Sequence, residues 1–166
     1  MIPILSIIGK SNSGKTTLLE GLIGELTRRG YRVATIKHNR HGFEIDHEGK
    51  DSWKHRQAGA HLTVIASPEQ VALIESMERD CSIAELRERY VREVDIILVE
   101  GYKRNPYPKI EVFRREISGE PLATEDDNLI AIVTDDPVTL DVTRFHRDDI
   151  TEITDLIVDL FLGLRK

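Results

Sequence analysis

A three-layer α/β fold with a mostly parallel sheet and an added β-hairpin is what this sequence predicts. Three observations carry the expectation. The short runs 2–8 (IPILSII) and 95–100 (DIILVE) are apolar and β-branched through their interiors, as strands covered on both faces are. Amphipathic helical patterns stand between and after such runs, so strand–helix–strand units with right-handed crossovers follow. Two further runs meet at Ser67-Pro68-Glu69, a turn short enough for a hairpin.

The elements follow in order. After the first strand a helix is expected from about Lys15 to Arg29, its stripe being Leu18, Leu19, Leu22, Ile23 and Leu26. Arg28 and Arg29 suit its negative C-terminal end, and Gly30 suits a left-handed cap. Residues 31–37 (YRVATIK) form the second strand, and 38–50 are a polar loop. A short helix at 51–58 precedes hairpin strands at 62–66 and 70–75. Ser82 and Glu85 have capping-box spacing and open a helix to about Val91, with Ile83, Leu86 and Tyr90 on one side. Strands follow at 95–100, 110–113 and 129–134, with 114–128 as loop. A last helix starts near Asp149, with Glu152 placed for a second capping box and a stripe of Ile153, Leu156, Ile157, Leu160, Phe161 and Leu164.

Composition narrows the class of function. The 166 residues show no repeat, low-complexity tract or linker, which predicts one domain over 1–166. Lys and Arg number 23 against 29 Asp and Glu, a net charge of −6 that argues against a nucleic-acid partner. No apolar run approaches the roughly 20 residues of a membrane span, so no membrane association is expected. Met1-Ile2-Pro3-Ile4-Leu5 carries no basic leader, and Cys81 is alone, which together lead us to expect a cytoplasmic protein.

The strongest chemical signal is Gly9-Lys10-Ser11-Asn12-Ser13-Gly14-Lys15-Thr16, a full G-x-x-x-x-G-K-[ST] between a buried strand and an amphipathic helix. The glycines permit a tight turn, and the loop amides together with the helix N-terminus face phosphate as donors. Lys15 is then placed for the β- and γ-phosphates, and Thr16 for Mg²⁺, with Thr17 completing the first helical turn. A chance Gly/Ser turn is the competing reading. The fold expectation becomes a P-loop NTPase fold, with 1–166 as a single nucleotide-binding domain. Lys10 resembles the loop lysine that, in one branch of P-loop proteins, reaches the partner subunit's nucleotide; a solvated loop lysine is the alternative.

Further carboxylates belong to the same end of the sheet. Asp95-Ile96-Ile97-Leu98-Val99-Glu100-Gly101 has the form of a Walker B strand. Ligands gather at the carboxyl ends of parallel strands, which puts Glu100 where it can hold Mg²⁺ or orient water. Asp95 is at the opposite end and reads as a cap or turn residue. In the loop after the second strand, Asp46 and Asp51 are candidates for the metal shell or catalytic water, and Lys37 and Lys50 for phosphate or acidic groups. His38, His41 and His47 invite a transition-metal reading, but without structural-zinc spacing a partner-facing loop is preferred.

The chain resembles the molybdopterin-guanine dinucleotide biosynthesis protein B (MobB) family. The resemblance rests on GKSNSGKTTL at 9–18, ATIKH at 34–38, Asp46, GKDS at 49–52, AGA at 58–60, LVEGYK at 98–103 and LIAIVTDD at 129–136. It implies a GTP-binding accessory protein of molybdenum-cofactor maturation, a weak Mg²⁺-dependent GTPase working as a homodimer. The implied partners are the molybdenum-cofactor guanylyltransferase and related maturation proteins, with molybdopterin itself left open. Carried over by position, Lys15 and Thr16 bind phosphate and Mg²⁺, Glu100 takes the Walker B place and Asp46 falls in the acidic loop. After His38 the loop reads Asn39-Arg40-His41, where the family leads one to expect an acidic residue or a further histidine.

The usual Asn-Lys-x-Asp guanine signature is absent. Thr134-Asp135-Asp136-Pro137 ends a late strand and is the best candidate to read the guanine edge; a β-turn with Asp in a favoured place is the alternative. Two other functions stay open beside the GTP-binding adapter. One is a P-loop small-molecule kinase, with Arg114-Arg115 imitating a lid that neutralises transferred charge. The other is a metal-delivery GTPase using His38, His41 and His47. A group of lysines, Lys10, Lys15, Lys37, Lys50 and Lys103, is expected to gather at the phosphate end.

Overall fold

Strands without a polar interior need cover on both faces, and the computed structural model places them at the centre of a six-stranded sheet. It describes residues 1–39, 42–102, 105–123 and 128–163. In chain order the elements are β1 (Ile4–Ile8), α1 (Lys15–Arg28), β2 (Val33–Lys37), α2 (Asp51–Gln57), β3 (Leu62–Ala66), β4 (Val71–Glu75), α3 (Ile83–Tyr90), β5 (Ile96–Glu100), β6 (Lys109–Val112), α4 (Arg115–Ser118), β7 (Leu129–Val133), β8 (Thr143–Phe145) and α5 (Ile150–Ile157). They fall into two compact units, Met1–His38 with Arg87–Lys166, and Asn39–Leu86.

The first unit holds the parallel sheet, in the order β2-β5-β1-β6-β7-β8. The α/β expectation stands. Because all strands run one way, their carboxyl ends share one edge. Alternate side chains leave the sheet on opposite faces. Leu5, Ile7, Ile96, Leu98, Ile110, Val112, Ala131 and Val133 meet Leu18, Leu22 and Leu26 of α1 and Ile153 and Ile157 of α5 in the main core. On the other face Ile8, Ala123 and Leu129 pack with Leu140 and Val142.

Local signals hold in several places. The end of α1 closes as predicted: Gly30 has φ +83°, its N–H bonds the Thr27 carbonyl at 2.9 Å, and Tyr31 N–H bonds the Leu26 carbonyl at 3.0 Å. Asp95 pins the start of β2, accepting from Arg32 N–H at 2.6 Å. Other expectations are corrected. The stretch 114–128 contains α4, and the three-residue β8 extends the sheet where no strand was predicted. Its Thr143 and Arg144 are exposed, so β8 carries no apolar pattern to read. At the N-terminus of α5 no side chain caps the helix, so the Glu152 capping box does not form. Asp149 instead accepts from the His146 N–H at 2.8 Å. In the last stripe Ile153, Leu156, Ile157 and Phe161 pack in the core, but Leu160 is 53% exposed, in a π-helical turn at Val158–Leu162. Wider winding shifts Leu160 off the α-helical face. Leu164 lies outside the described residues.

Glu111 is a buried carboxylate that pattern reading missed. It is 1% exposed in β6, and accepts from the N–H groups of Leu122 and Ala123 at 2.7 and 2.8 Å. Burial pushes its pKa up, with the two hydrogen bonds opposing. The folded chain therefore holds this proton at pH values where the unfolded chain has lost it. Its contribution is present below the ordinary glutamate range and falls as pH rises through the raised value. Glu25 and Glu85 act in the opposite sense lower down, their pKa values held at about 2 by Arg28 with Arg29 and by Arg79. Urea titrations of Glu111→Gln are expected to lose the decline above the ordinary glutamate range, at a cost of about 1 kcal/mol for one surrendered hydrogen bond. A wild-type slope retained in the variant would assign the decline elsewhere.

The second unit is α2, the antiparallel β3–β4 hairpin, and the capped start of α3. The capping box forms as predicted: Ser82 N–H bonds Glu85 Oε2 at 2.9 Å and Glu85 N–H bonds Ser82 Oγ at 3.2 Å. Tyr90, at the far end of the predicted stripe, is 39% exposed. On the hairpin Val64 faces Leu73 and Ala66 faces Val71. Leu62, Val64, Leu73 and Val71 are all well exposed. No helix among the described residues is long and apolar enough to cross a membrane.

Candidate functional site

The loop between β1 and α1 is built by its backbone. Positive φ values at Gly9 (+145°), Asn12 (+65°) and Gly14 (+103°) curl it, and Ser13 N–H bonds the Lys10 carbonyl at 3.3 Å. Such a curl turns amide N–H groups toward one centre, an anion-binding concavity. No side chain caps α1 and no acidic residue lies in its first turn, so its positive end faces the loop. Lys15 folds over the loop and donates from Nζ to the Lys10 carbonyl at 2.8 Å. Lys10, Ser11 and Asn12 are exposed, as are Thr16 and Thr17 in the first turn of α1. Ser13 is 1% exposed, and its hydroxyl has no hydrogen-bond partner among the described residues.

Glu100 ends β5, the strand paired directly with β1. Its carboxylate is 14% exposed and lies 3.6 Å from Lys37 Nζ, at the matching position of β2. Beside it His38 stacks on Tyr102, with ring centroids 4.2 Å apart. Thr16, in the first turn of α1 after β1, and Glu100, at the end of the adjacent β5, thus belong to one unit. A hydroxyl and a carboxylate are the oxygen donors Mg²⁺ prefers, so the residues fit that ion.

Beyond the phosphate loop lies a cleft of about 300 Å³, lined by Ser13, Gly14, Thr17, Arg114, Thr134, Asp135, Asp136, Arg147 and Asp148. Thr134 and Asp135, predicted for the base, therefore share a cleft with the phosphate loop. Asp135 is held on both oxygens, by His146 Nε2 at 2.8 Å and Arg147 Nε at 2.9 Å. Asp136 accepts from the Arg115 N–H at 2.8 Å and fixes the start of α4. His146 and Arg147 reach Asp135 only because β8 pairs with β7, and no sequence signal marked that pairing. Arg114, read from the sequence only as a lid charge, also lines this cleft.

Asp46 belongs to the second unit. Its side chain accepts from Ser52 Oγ at 2.9 Å and from Arg56 Nη2 at 3.3 Å, which ties the loop to α2. Lys50 and Asp51 are exposed at the start of that helix. His41 and Lys103 lie outside the described residues, and so do parts of the histidine-loop and lysine-cluster expectations. Among the described residues no group of three or more His, Cys, Asp or Glu is placed to hold a metal.

The family described as molybdopterin guanine dinucleotide synthesis protein B matches residues 4–135. Over 157 residues the chain is 41% identical to the molybdopterin-guanine dinucleotide biosynthesis adapter protein of Haemophilus influenzae, covering 94% of this chain and 88% of that one. It is 37% identical over 163 residues to the adapter protein of Escherichia coli, covering 96% and 93%. A crystal structure of Bacillus subtilis MobB matches with a TM-score of 0.74 at 29% identity, over 98% of this chain and 99% of that one. A second MobB crystal structure matches with a TM-score of 0.72 at 33% identity, over 96% and 99%.

Proposed function

The chain belongs to the molybdopterin guanine dinucleotide synthesis protein B (MobB) family, and from that premise we propose that it is a GTP-binding adapter of molybdenum-cofactor biosynthesis with slow Mg²⁺-dependent GTPase activity. The observation that carries this reading is the phosphate loop on the central strand, with Glu100 on the neighbouring strand and the cleft of Thr134 and Asp135 beyond it. Gly9 to Thr17 take the triphosphate, with Lys15 as the mobile cation and Thr16 as metal ligand. When bound, Mg²⁺ supplies charge neutralisation between the β- and γ-phosphates. Glu100 holds the ion or the attacking water, and Lys37 is its counter-ion meanwhile. Asp46, the acidic-loop candidate, belongs to the second unit, where Ser52 and Arg56 hold its carboxylate. Hydrolysis is slow because no arginine finger or water-positioning glutamine is supplied by motif, groups worth about 10³–10⁵ in rate.

The reading extends to the assembly. The protein works in the cytoplasm as a single nucleotide-binding domain that forms a homodimer, with Lys10 reaching toward the partner copy. The apolar hairpin face of Leu62, Val64, Val71 and Leu73 supports self-association. Its partners are the enzyme that joins GMP to molybdopterin and related maturation proteins.

Guanine preference is the sharpest test. In calorimetric titrations with Mg²⁺, the wild type is expected to bind GTP about tenfold or more tightly than ATP. Asp135→Ala is expected to narrow that gap because the base edge loses its acceptor. Equal GTP and ATP affinities in the wild type would refute the guanine assignment. An unchanged preference in both Asp135→Ala and Asp136→Ala would remove these residues from it. Light scattering on the same samples should read twice the 18.9 kDa chain mass.

A further inference from the structure

Arg114 stands where β6 ends, and β6 pairs with β1, so this arginine is delivered beside the phosphate loop. The nearest atoms to the missing side chain of Gly14 are all in its guanidinium: Nη2 at 3.2 Å, Cζ and Nε at 3.9 Å. Its backbone is fixed from both sides. The Phe113 N–H bonds the Val133 carbonyl at 3.0 Å, and the Arg114 carbonyl accepts from Ile117 N–H at 3.0 Å. Arg115 is clamped in turn, its Nη2 donating to the Pro137 carbonyl at 2.6 Å. The charged head is spent on little: Glu116 lies 3.8 Å away and is 75% exposed, a surface pair of small worth.

We propose that Arg114 is the base-covering residue of the nucleotide site, its guanidinium braced on Gly14 and its flat cationic face turned to a purine. This rests on the nucleotide-binding reading above and adds the residue that contacts the base. The cleft it lines joins Thr17 in the first turn of α1 to Asp135 at the end of β7, and mixes polar side chains with the largely buried Leu18, Val112, Phe113 and Val133. A cleft of mixed apolar and polar lining suits a planar base with polar edges. Phosphate already has Lys15 and the N-terminus of α1. Ser13 lines the same cleft, and its buried hydroxyl has no hydrogen-bond partner among the described residues. Arginine fits the task because its guanidinium is planar and delocalised, and stacks on π-faces where an ammonium is only a point charge.

The test compares ligands with and without a base. GTP, GDP and inorganic tripolyphosphate are titrated into wild type, Arg114→Ala and Arg114→Lys, with thermal melts to check folding. The expected result is a loss of about tenfold for GTP and GDP in Arg114→Ala, tripolyphosphate affinity unchanged, and little recovery in Arg114→Lys. A matching loss for tripolyphosphate would make Arg114 a phosphate ligand and overturn the proposal. So would full GTP affinity in Arg114→Lys, or no loss in Arg114→Ala. Wild-type protein that binds tripolyphosphate and no GTP would overturn this proposal and spare the phosphate loop. Wild-type protein that binds neither would overturn both.

Discussion

Lys15→Ala is expected to lose about 100-fold in triphosphate affinity while keeping the urea midpoint of the wild type. A charge-assisted contact to phosphate contributes about 1.5–3 kcal/mol, and each 1.4 kcal/mol is tenfold in affinity. In the proposed site Lys15 would reach more than one phosphate oxygen, which puts the expected loss at the upper end. Stability is spared because Lys15 is half-exposed and packs no core. Its hydrogen bond to the Lys10 carbonyl lies at the surface. Calorimetry with a slowly hydrolysed GTP analogue reads the first quantity and urea unfolding the second. Wild-type affinity in this variant would refute the phosphate site, and a large fall in urea midpoint would show that the lysine is structural.

Gly9→Ala has the reverse profile and is expected to lose about 3 kcal/mol or more of folding stability. A Cβ at residue 9 would lie 2.4 Å from the Val112 carbonyl oxygen and 2.7 Å from Ser13 Oγ, and φ is +145°. The carbonyl belongs to β6, hydrogen-bonded on both sides in the sheet, so it cannot retreat. Overpacking and a strained backbone each cost about 1–3 kcal/mol. Gly24→Ala is the control: it sits in α1 with nothing within 4 Å of the new carbon. It should gain about 0.5–1 kcal/mol through helix propensity. Equal midpoints for the two variants would show that the sheet yields at Gly9.

These contrasts indicate which parts of the protein could be read from its sequence. The phosphate loop was legible because its chemistry is local: the glycines, the lysine and the helix start are consecutive. β1, β5 and β7 were legible because burial on both faces strips a strand of polar residues. β8 was not, since an edge strand keeps exposed Thr143 and Arg144. With β8 went the partners of Asp135, which depend on the β7–β8 register. Asp46 shows a different limit: Ser52 and Arg56 engage it from the face of α2, and a charge in a polar loop gives no hint of that. Arg114 was visible as a charge, but its position against Gly14 exists only once β6 lies beside β1.

The strand order has a consequence for how the chain is made. β1 leaves the ribosome well before the strands it pairs with, Ile4 with Ile97 and Ile7 with Ile110. The strand that carries the phosphate loop therefore has no neighbour until synthesis has reached β5. Loops that long must close before parallel pairing rewards them, which slows folding and exposes apolar strands meanwhile. The β3–β4 hairpin, joined by a tight turn, can form early and locally. Nascent chains should thus protect the hairpin before β1, and a chain cut off before β5 would present β1 as an unpaired, aggregation-prone segment.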